Sequence, residues 1–222
     1  MARKILFIRV FASVPIATSV EKMLRAAFPD YSVEVIDITQ LIKRRQDIML
    51  INSWHMLREY GWDMLTGYKK LPRAFLATPY LFHRVKKILT DYIEPRQETY
   101  AFTFQLQSLF DASTTFLPHF VYTDNTHLAN EAYLDFHPRQ FYPPVWLKLE
   151  QSIYQNAALI FTRSTNITRS LISQYDVPEE KIICAYAGAN VPIKTRTDNG
   201  LLPAKRYDQR HILFVGINWK HK

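Results

Sequence analysis

Short apolar runs separated by stretches of helical periodicity limit what this chain can become. Lys4 to Val10, Tyr31 to Ile38, Tyr100 to Leu106, Phe120 to Thr123, Ala158 to Thr162 and Ile182 to Ala187 each read as a strand. Between the first two, Val20, Met23, Leu24 and Ala27 recur at i, i+3, i+4 and i+7, which predicts a helix over 18–28. Pro29-Asp30 stops it. A helix is predicted from Val145 to Gln155 after Pro143-Pro144, and another from about Thr165 to Tyr175 with Ser164 as its cap. Strand and helix in alternation, with short connections, predict an α/β domain built on a Rossmann-like, doubly wound parallel sheet.

One stretch departs from the alternation. Residues 47–94 contain no clear strand and read as an inserted helical segment broken at Gly61, Gly67, Pro72 and Pro79. Its last helix places Leu81, Val85, Ile88, Leu89 and Tyr92 on one stripe. Residues 124–144 read as a long polar and aromatic loop, and residues 192–210 as a linker. The apolar run Ile212 to Val215, turned by Gly216, has the form of the opening strand of another α/β unit. The expectation is one domain over 1–195, followed by a linker and the first strand of a second over 196–222.

Composition excludes several classes. The chain is 48% hydrophobic and 22% charged, which is globular. Its single cysteine, Cys184, rules out an internal disulfide framework and is expected to be a buried small hydrophobe. The N-terminal run imitates a signal peptide, but Arg9 interrupts it, so a buried strand is expected there and with it a cytoplasmic location, either free or peripheral at the inner face of the membrane. No segment reaches the roughly 18 uninterrupted apolar residues of a membrane span. The net charge of +8 comes in clusters, Lys43-Arg44-Arg45, Lys69-Lys70 and Arg84 with Lys86-Lys87. Such a balance favours nucleotide phosphates, an anionic membrane surface or nucleic acid. No RNP, helix-turn-helix or zinc pattern supports nucleic acid.

In parallel α/β sheets ligands bind beyond the carboxyl ends of the strands. After Val10 there is no glycine, hence no dinucleotide fingerprint and no P-loop; Ser13, Thr18 and Ser19 offer hydroxyls to an oxyanion or simply cap a helix. After Val121 comes the densest polar cluster, Tyr122-Thr-Asp-Asn-Thr-His-Leu-Ala-Asn130. Asp124 and His127, three apart, would share a face of a helical turn and could transfer a proton or hold sugar hydroxyls. Two other readings stay open: half of a metal site completed by His119, Asp135 or His137, and helix capping by Asp124 and Asn125. After Ala187 stand Gly188 and Asn190; after Val215 stand Gly216, Lys220 and Lys222, which together suit a diphosphate.

The run from Ala158-Leu-Ile-Phe-Thr-Arg-Ser164 through Tyr175 and Val177-Pro-Glu-Glu-Lys-Ile182 to Gly188-Ala-Asn190 resembles the end of the N-terminal domain of family 4 glycosyltransferases. There a strand closes on serine, a helix ends in "Tyr-Gly-Val-Pro-x-x-Lys", and a strand ends in "Gly-x-Asp" or "Gly-x-Asn". Residues 211–222 are similar to the first strand of that family's C-terminal domain, "Phe-Val-Gly…Lys-Gly". The resemblance implies a GT-B architecture and retaining transfer of a sugar from a nucleotide-sugar to a glycan, lipid or small-molecule acceptor, without a metal or other cofactor. It implies Asp124 or His127 at the transferred sugar, Ser13, Asn125 and Thr126 toward the acceptor, and Gly188, Asn190, Gly216, Lys220 and Lys222 toward the donor. Ala12-Ser-Val-Pro15 replaces the family's glycine-rich loop, Ile217 replaces a frequent arginine, and the acidic E-x7-E segment falls outside the sequence. The chain alone is therefore expected to be inactive. The competing expectation is a non-catalytic module that binds polyanions or partners a separate donor domain.

Overall fold

Ile5, Leu6, Phe7 and Ile8 are fully buried, which requires strand neighbours on both edges and packing on both faces. The computed structural model, which describes residues 3–10, 15–133 and 135–186, supplies both. Along the chain come β1 (Lys4–Arg9), α1 (Pro15–Ala27), β2 (Ser32–Asp37), α2 (Ile38–Lys43), α3 (Gln46–Leu65), α4 (Leu71–Leu76) and α5 (Pro79–Ile93). There follow β3 (Tyr100–Leu106), β4 (His119–Thr123), α6 (Pro144–Asn156), β5 (Leu159–Thr162), α7 (Thr165–Tyr175) and β6 (Ile182–Cys184). The strands make one sheet in the order β2-β1-β3-β4-β5-β6, parallel at every pairing. The order reverses between β1 and β3, the switch point of a doubly wound sheet.

The two faces are covered unequally. On one, Ala17, Val20 and Leu24 of α1 pack on Ile5, Phe7, Val33, Phe104 and Leu106. On the other, α2, α5, α6 and α7 bring Ile38, Leu81, Val85, Leu89, Ile153 and Leu171 against Leu6, Ile8, Val121 and Ile160. The stripe on α1 thus differs from the expected one: Met23 and Ala27 are exposed. The helix begins at Pro15, and its inward face centres on Ala17, Val20 and Leu24.

The inserted helical segment is α3 to α5. Gly61 does not break it, because α3 runs through to Leu65. A mid-helix glycine costs about 1 kcal/mol relative to alanine, and the buried Met56 and Tyr60 beside it hold the helix down. The Tyr60 hydroxyl donates to the Ala77 carbonyl at 2.7 Å. Gly67, at φ 78°, and the two prolines do fall at helix ends. Thr78 caps α5 by accepting from Leu81 N at 3.1 Å, and its hydroxyl bonds Asn52 of α3. Cys184 is half-buried at the sheet's edge instead of fully buried, since among the described residues β6 has a neighbour on one side only. The linker, the strand expected at residues 212–215 and the end of the expected first domain lie outside the described residues.

Helix α7 matches its expected limits. Ser164 Oγ accepts from Ile167 N at 3.4 Å, and the helix stops at Asp176 in the left-handed region, φ 52°. A non-glycine residue there carries a steric cost of roughly 1–2 kcal/mol. Asp176→Gly should therefore raise the unfolding free energy by about 1 kcal/mol, measured by denaturant titration, and an unchanged or lower value would contradict the assignment of strain.

Candidate functional site

The carboxyl edge of the sheet gathers Arg9, Gln107, Asp124 and Arg163 at the ends of β1, β3, β4 and β5. The ladder sets the last two opposite each other, because Arg163 N donates to the Thr123 carbonyl at 3.2 Å. Across that rung Arg163 Nη1 donates to Asp124 Oδ2 at 3.3 Å, with Asp124 nearly half exposed. Arg163 Nε is buried without a hydrogen-bond partner, which leaves donor capacity in reserve. Gln107 takes φ 71° directly after β3, beside the switch point, while its N–H donates to the Tyr122 carbonyl at 2.8 Å. Non-glycine residues in that region cluster at functional turns. Arg9 is held by Glu21 at 3.3 Å and Asp37 at 3.7 Å.

The structure separates the residues that spacing grouped. Asp124 and His127 do not share a helical face, because the 3-10 turn runs from Leu128 to Ala132, with His127 only at its N-terminal flank and Asp124 outside it. His127 Nε2 accepts from Tyr142 N at 2.9 Å, so its proton sits on Nδ1. The ring stacks on Tyr142 at 4.1 Å and meets the edges of Phe141 and Trp146. Burial, then the nearby charges of Lys69 and Arg73, press its pKa down to about 3. It is a neutral anchor for the 137–142 loop.

Thr126 is buried, shares its hydroxyl with Ser170 at 2.6 Å and accepts from Ala129 N at 3.2 Å. Thr126 thus caps the following 3-10 turn in place of Asp124 or Asn125. Asn125 is exposed and its amide donates to Asn130 Oδ1 at 3.3 Å. His119 lies buried at the start of β4, its Nδ1 bonded to the Thr103 hydroxyl at 2.7 Å. His137 Nδ1 accepts from Arg139 N at 3.1 Å. Among the described residues no three His, Cys, Asp or Glu side chains gather as metal ligands. Ser13, Gly188, Asn190, Gly216, Lys220 and Lys222 lie outside the described residues.

Three residues take roles here that the sequence did not assign to them; one, Lys69, is buried although the sequence placed it in a basic cluster. Arg163 stands one residue past the β5 run, the position that the strand-end rule marks. Glu150 is buried in α6, accepting from His127 N at 3.0 Å, from the Tyr154 hydroxyl at 3.2 Å and from the Tyr175 hydroxyl. Its place on the stripe Trp146, Glu150, Ile153, Tyr154 would have marked it. Lys69, buried, donates to the carbonyls of Gln140 and Phe141 at 2.8 and 2.7 Å, with Tyr142 facing its ammonium. Burial lowers its pKa to about 8. No spacing reveals that contact, which joins residues far apart in sequence.

Beside the edge, a groove of about 770 Å³ runs over the sheet face that α1 leaves open. Phe102, Phe104, Phe120, Leu159 and Phe161 floor it, and Arg163 and Tyr186 stand among its lining residues. It offers few of the hydrogen-bonding groups that sugar hydroxyls need, so the polar site is the edge itself.

No protein-family model matches this chain, and no curated protein matches it in sequence. What the fold defines is a class: a Rossmann-like parallel α/β protein whose polar edge carries an aspartate–arginine pair.

Two buried histidines and a buried acid predict a pH signature. His127, held near 3, and His119, lowered by burial to about 4, are neutral when folded but take up protons when unfolded below about pH 6.5, so each adds stability as pH rises. Glu150, raised by burial to about 7, stays protonated when folded and removes stability as pH rises from about 4.5 to 7. Two groups oppose one, so unfolding free energy should climb gently from pH 5 to 6.5. Glu150→Gln should steepen that climb toward two protons, about 1.4 kcal/mol per pH unit each at full separation. Denaturant titrations across that range measure both slopes.

Proposed function

We propose that this chain is the acceptor-side domain of a retaining, nucleotide-sugar-dependent glycosyltransferase of the GT-B type. The observation that carries the reading is the conformation of Asp176. Where the family pattern places glycine, between Tyr175 and Val177-Pro178, this chain adopts φ 52°, the backbone that a glycine would take without strain. The doubly wound sheet and the serine-capped helix after β5 support it further.

In this reading Asp124 and Arg163 face the transferred sugar or the acceptor hydroxyl. The carboxylate accepts from sugar hydroxyls, and the guanidinium offers charge-assisted bonds to a phosphate or a developing oxyanion. Donor contacts fall to Gly188, Asn190, Gly216, Lys220 and Lys222. His127 and Thr126 position the turn that carries Asp124 and touch no substrate. The substrates are a nucleotide-sugar and a glycan, lipid-linked or small-molecule acceptor.

A non-catalytic binding module is the second reading. It is favoured by the ion pairs that engage Glu21, Asp37 and Asp124, which leave no free carboxylate base among the described residues of the edge.

Sugar transfer by the protein acting with its donor-side domain separates the two. Asp124→Asn and Arg163→Gln should each lower kcat roughly tenfold or more, the scale of lost positioning or proton transfer, with unfolding midpoints unchanged. His127→Ala should instead cost about 2–3 kcal/mol of stability, because it empties an aromatic pocket and strands the Tyr142 N–H. Full activity in both edge variants would favour the binding module.

A further inference from the structure

We propose that the outer face of α3 is a docking surface for anionic lipid membrane. The helix is apolar on two sides. Ile48, Asn52, Met56 and Tyr60 turn inward and are buried. Leu50, Trp54, Leu57, Trp62 and Leu65 turn outward, 74%, 66%, 56%, 71% and 83% exposed. Positions 50, 54, 57 and 65 follow helical spacing, so these side chains form one stripe about 22 Å long. The outward face of a helix in a water-soluble domain is ordinarily polar. Two exposed tryptophans among leucines have no role in the core or at the sheet's edge, and a contiguous patch of this kind marks an interaction surface.

Charge selects the partner. Lys43 and Arg44 stand just before the helix, Arg58 within the stripe, and Lys70 and Arg73 just after it, all exposed. None of these cations has a carboxylate at ion-pair distance among the described residues. The neighbouring acids are already engaged or turned inward: Asp47 pairs with Arg45 at 2.8 Å, Asp63 with Arg139 at 2.6 Å, and Glu59 is half-buried. An apolar stripe with tryptophan, flanked by unpaired cations, lies in a membrane interface with its rings at headgroup depth. Anionic headgroups satisfy the cations. A second copy packed symmetrically on the same stripe would set Arg58 against Arg58 and the flanking cations near one another. No described helix is long and apolar enough to cross a membrane, so the contact is peripheral. This inference does not depend on sugar transfer.

Co-sedimentation of the full chain with vesicles tests it. Binding should be strong to phosphatidylcholine vesicles containing phosphatidylglycerol and weak to pure phosphatidylcholine, and should fall as salt is raised. Tryptophan emission should shift to the blue on binding. Trp54→Ser with Trp62→Ser should lower the partition coefficient at least tenfold with an unchanged circular dichroism spectrum, and Leu50→Gln with Leu65→Gln should act likewise if the first pair folds poorly. Lys70→Glu with Arg73→Glu should reduce binding to anionic vesicles alone. The proposal is overturned by absent vesicle binding, by equal binding of wild type and stripe variants, or by a dimer in light scattering that the stripe variants abolish without any lipid effect.

Discussion

The buried carboxyl group of Glu150 is the contact on which the carboxyl edge of this sheet depends. It receives the His127 N–H from the turn after β4, the Tyr154 hydroxyl from its own helix and the Tyr175 hydroxyl from the last turn of α7. Tyr154 passes the network on to Ser108, which in turn meets Thr123 at the end of β4. One side chain thereby ties α6, α7 and the connections after β3 and β4 into a single polar knot under Asp124. A buried acid is costly to desolvate, and a polar group of such a set left without its partner costs about 1–3 kcal/mol. That asymmetry keeps the turn in place.

The same knot explains why His127 and Thr126 are structural. His127 Nε2 is engaged by Tyr142 N–H, and the Thr126 hydroxyl by Ser170 and Ala129. Lys69 holds the far side of the loop through the Gln140 and Phe141 carbonyls, beneath the inserted helices. The insertion therefore does more than decorate the sheet. It packs the loop that steadies the edge, while α3 presents its other face outward.

The sheet is covered unevenly, with a physical consequence. Among the described residues the helical connections from β2 onward pass over one face, and α1 alone serves the other. Phe102, Phe104, Phe120 and Phe161 meet one another on the open face, with ring centroids 5.3 Å apart between Phe102 and Phe120 and 6.1 Å between Phe104 and Phe161. Their mutual contacts shield part of this surface without a helix above it.

The sequence by itself determined most of the elements; the short helix α2, whose first residue Ile38 reads as the end of a strand, is an exception. The apolar runs were dense enough to reveal every described strand, and the proline, serine and periodic signals placed α6, α7 and α5 within a few residues, because local backbone preference and side-chain burial agree there. It also pointed to the carboxyl edge as the place for ligands, since a parallel sheet of this winding has no other crevice of that kind. Tertiary structure decided which polar residues remain free at that edge. The spacing of Asp124 and His127 suggested a pair, yet the turn between them is not helical, and long-range partners, Tyr142 for one and Arg163 for the other, separated them. Gly61 likewise signalled a break that packing of Met56 and Tyr60 overrode. Whether a histidine stands in water or in an aromatic cage depends on residues that are distant along the chain, and no local pattern encodes that.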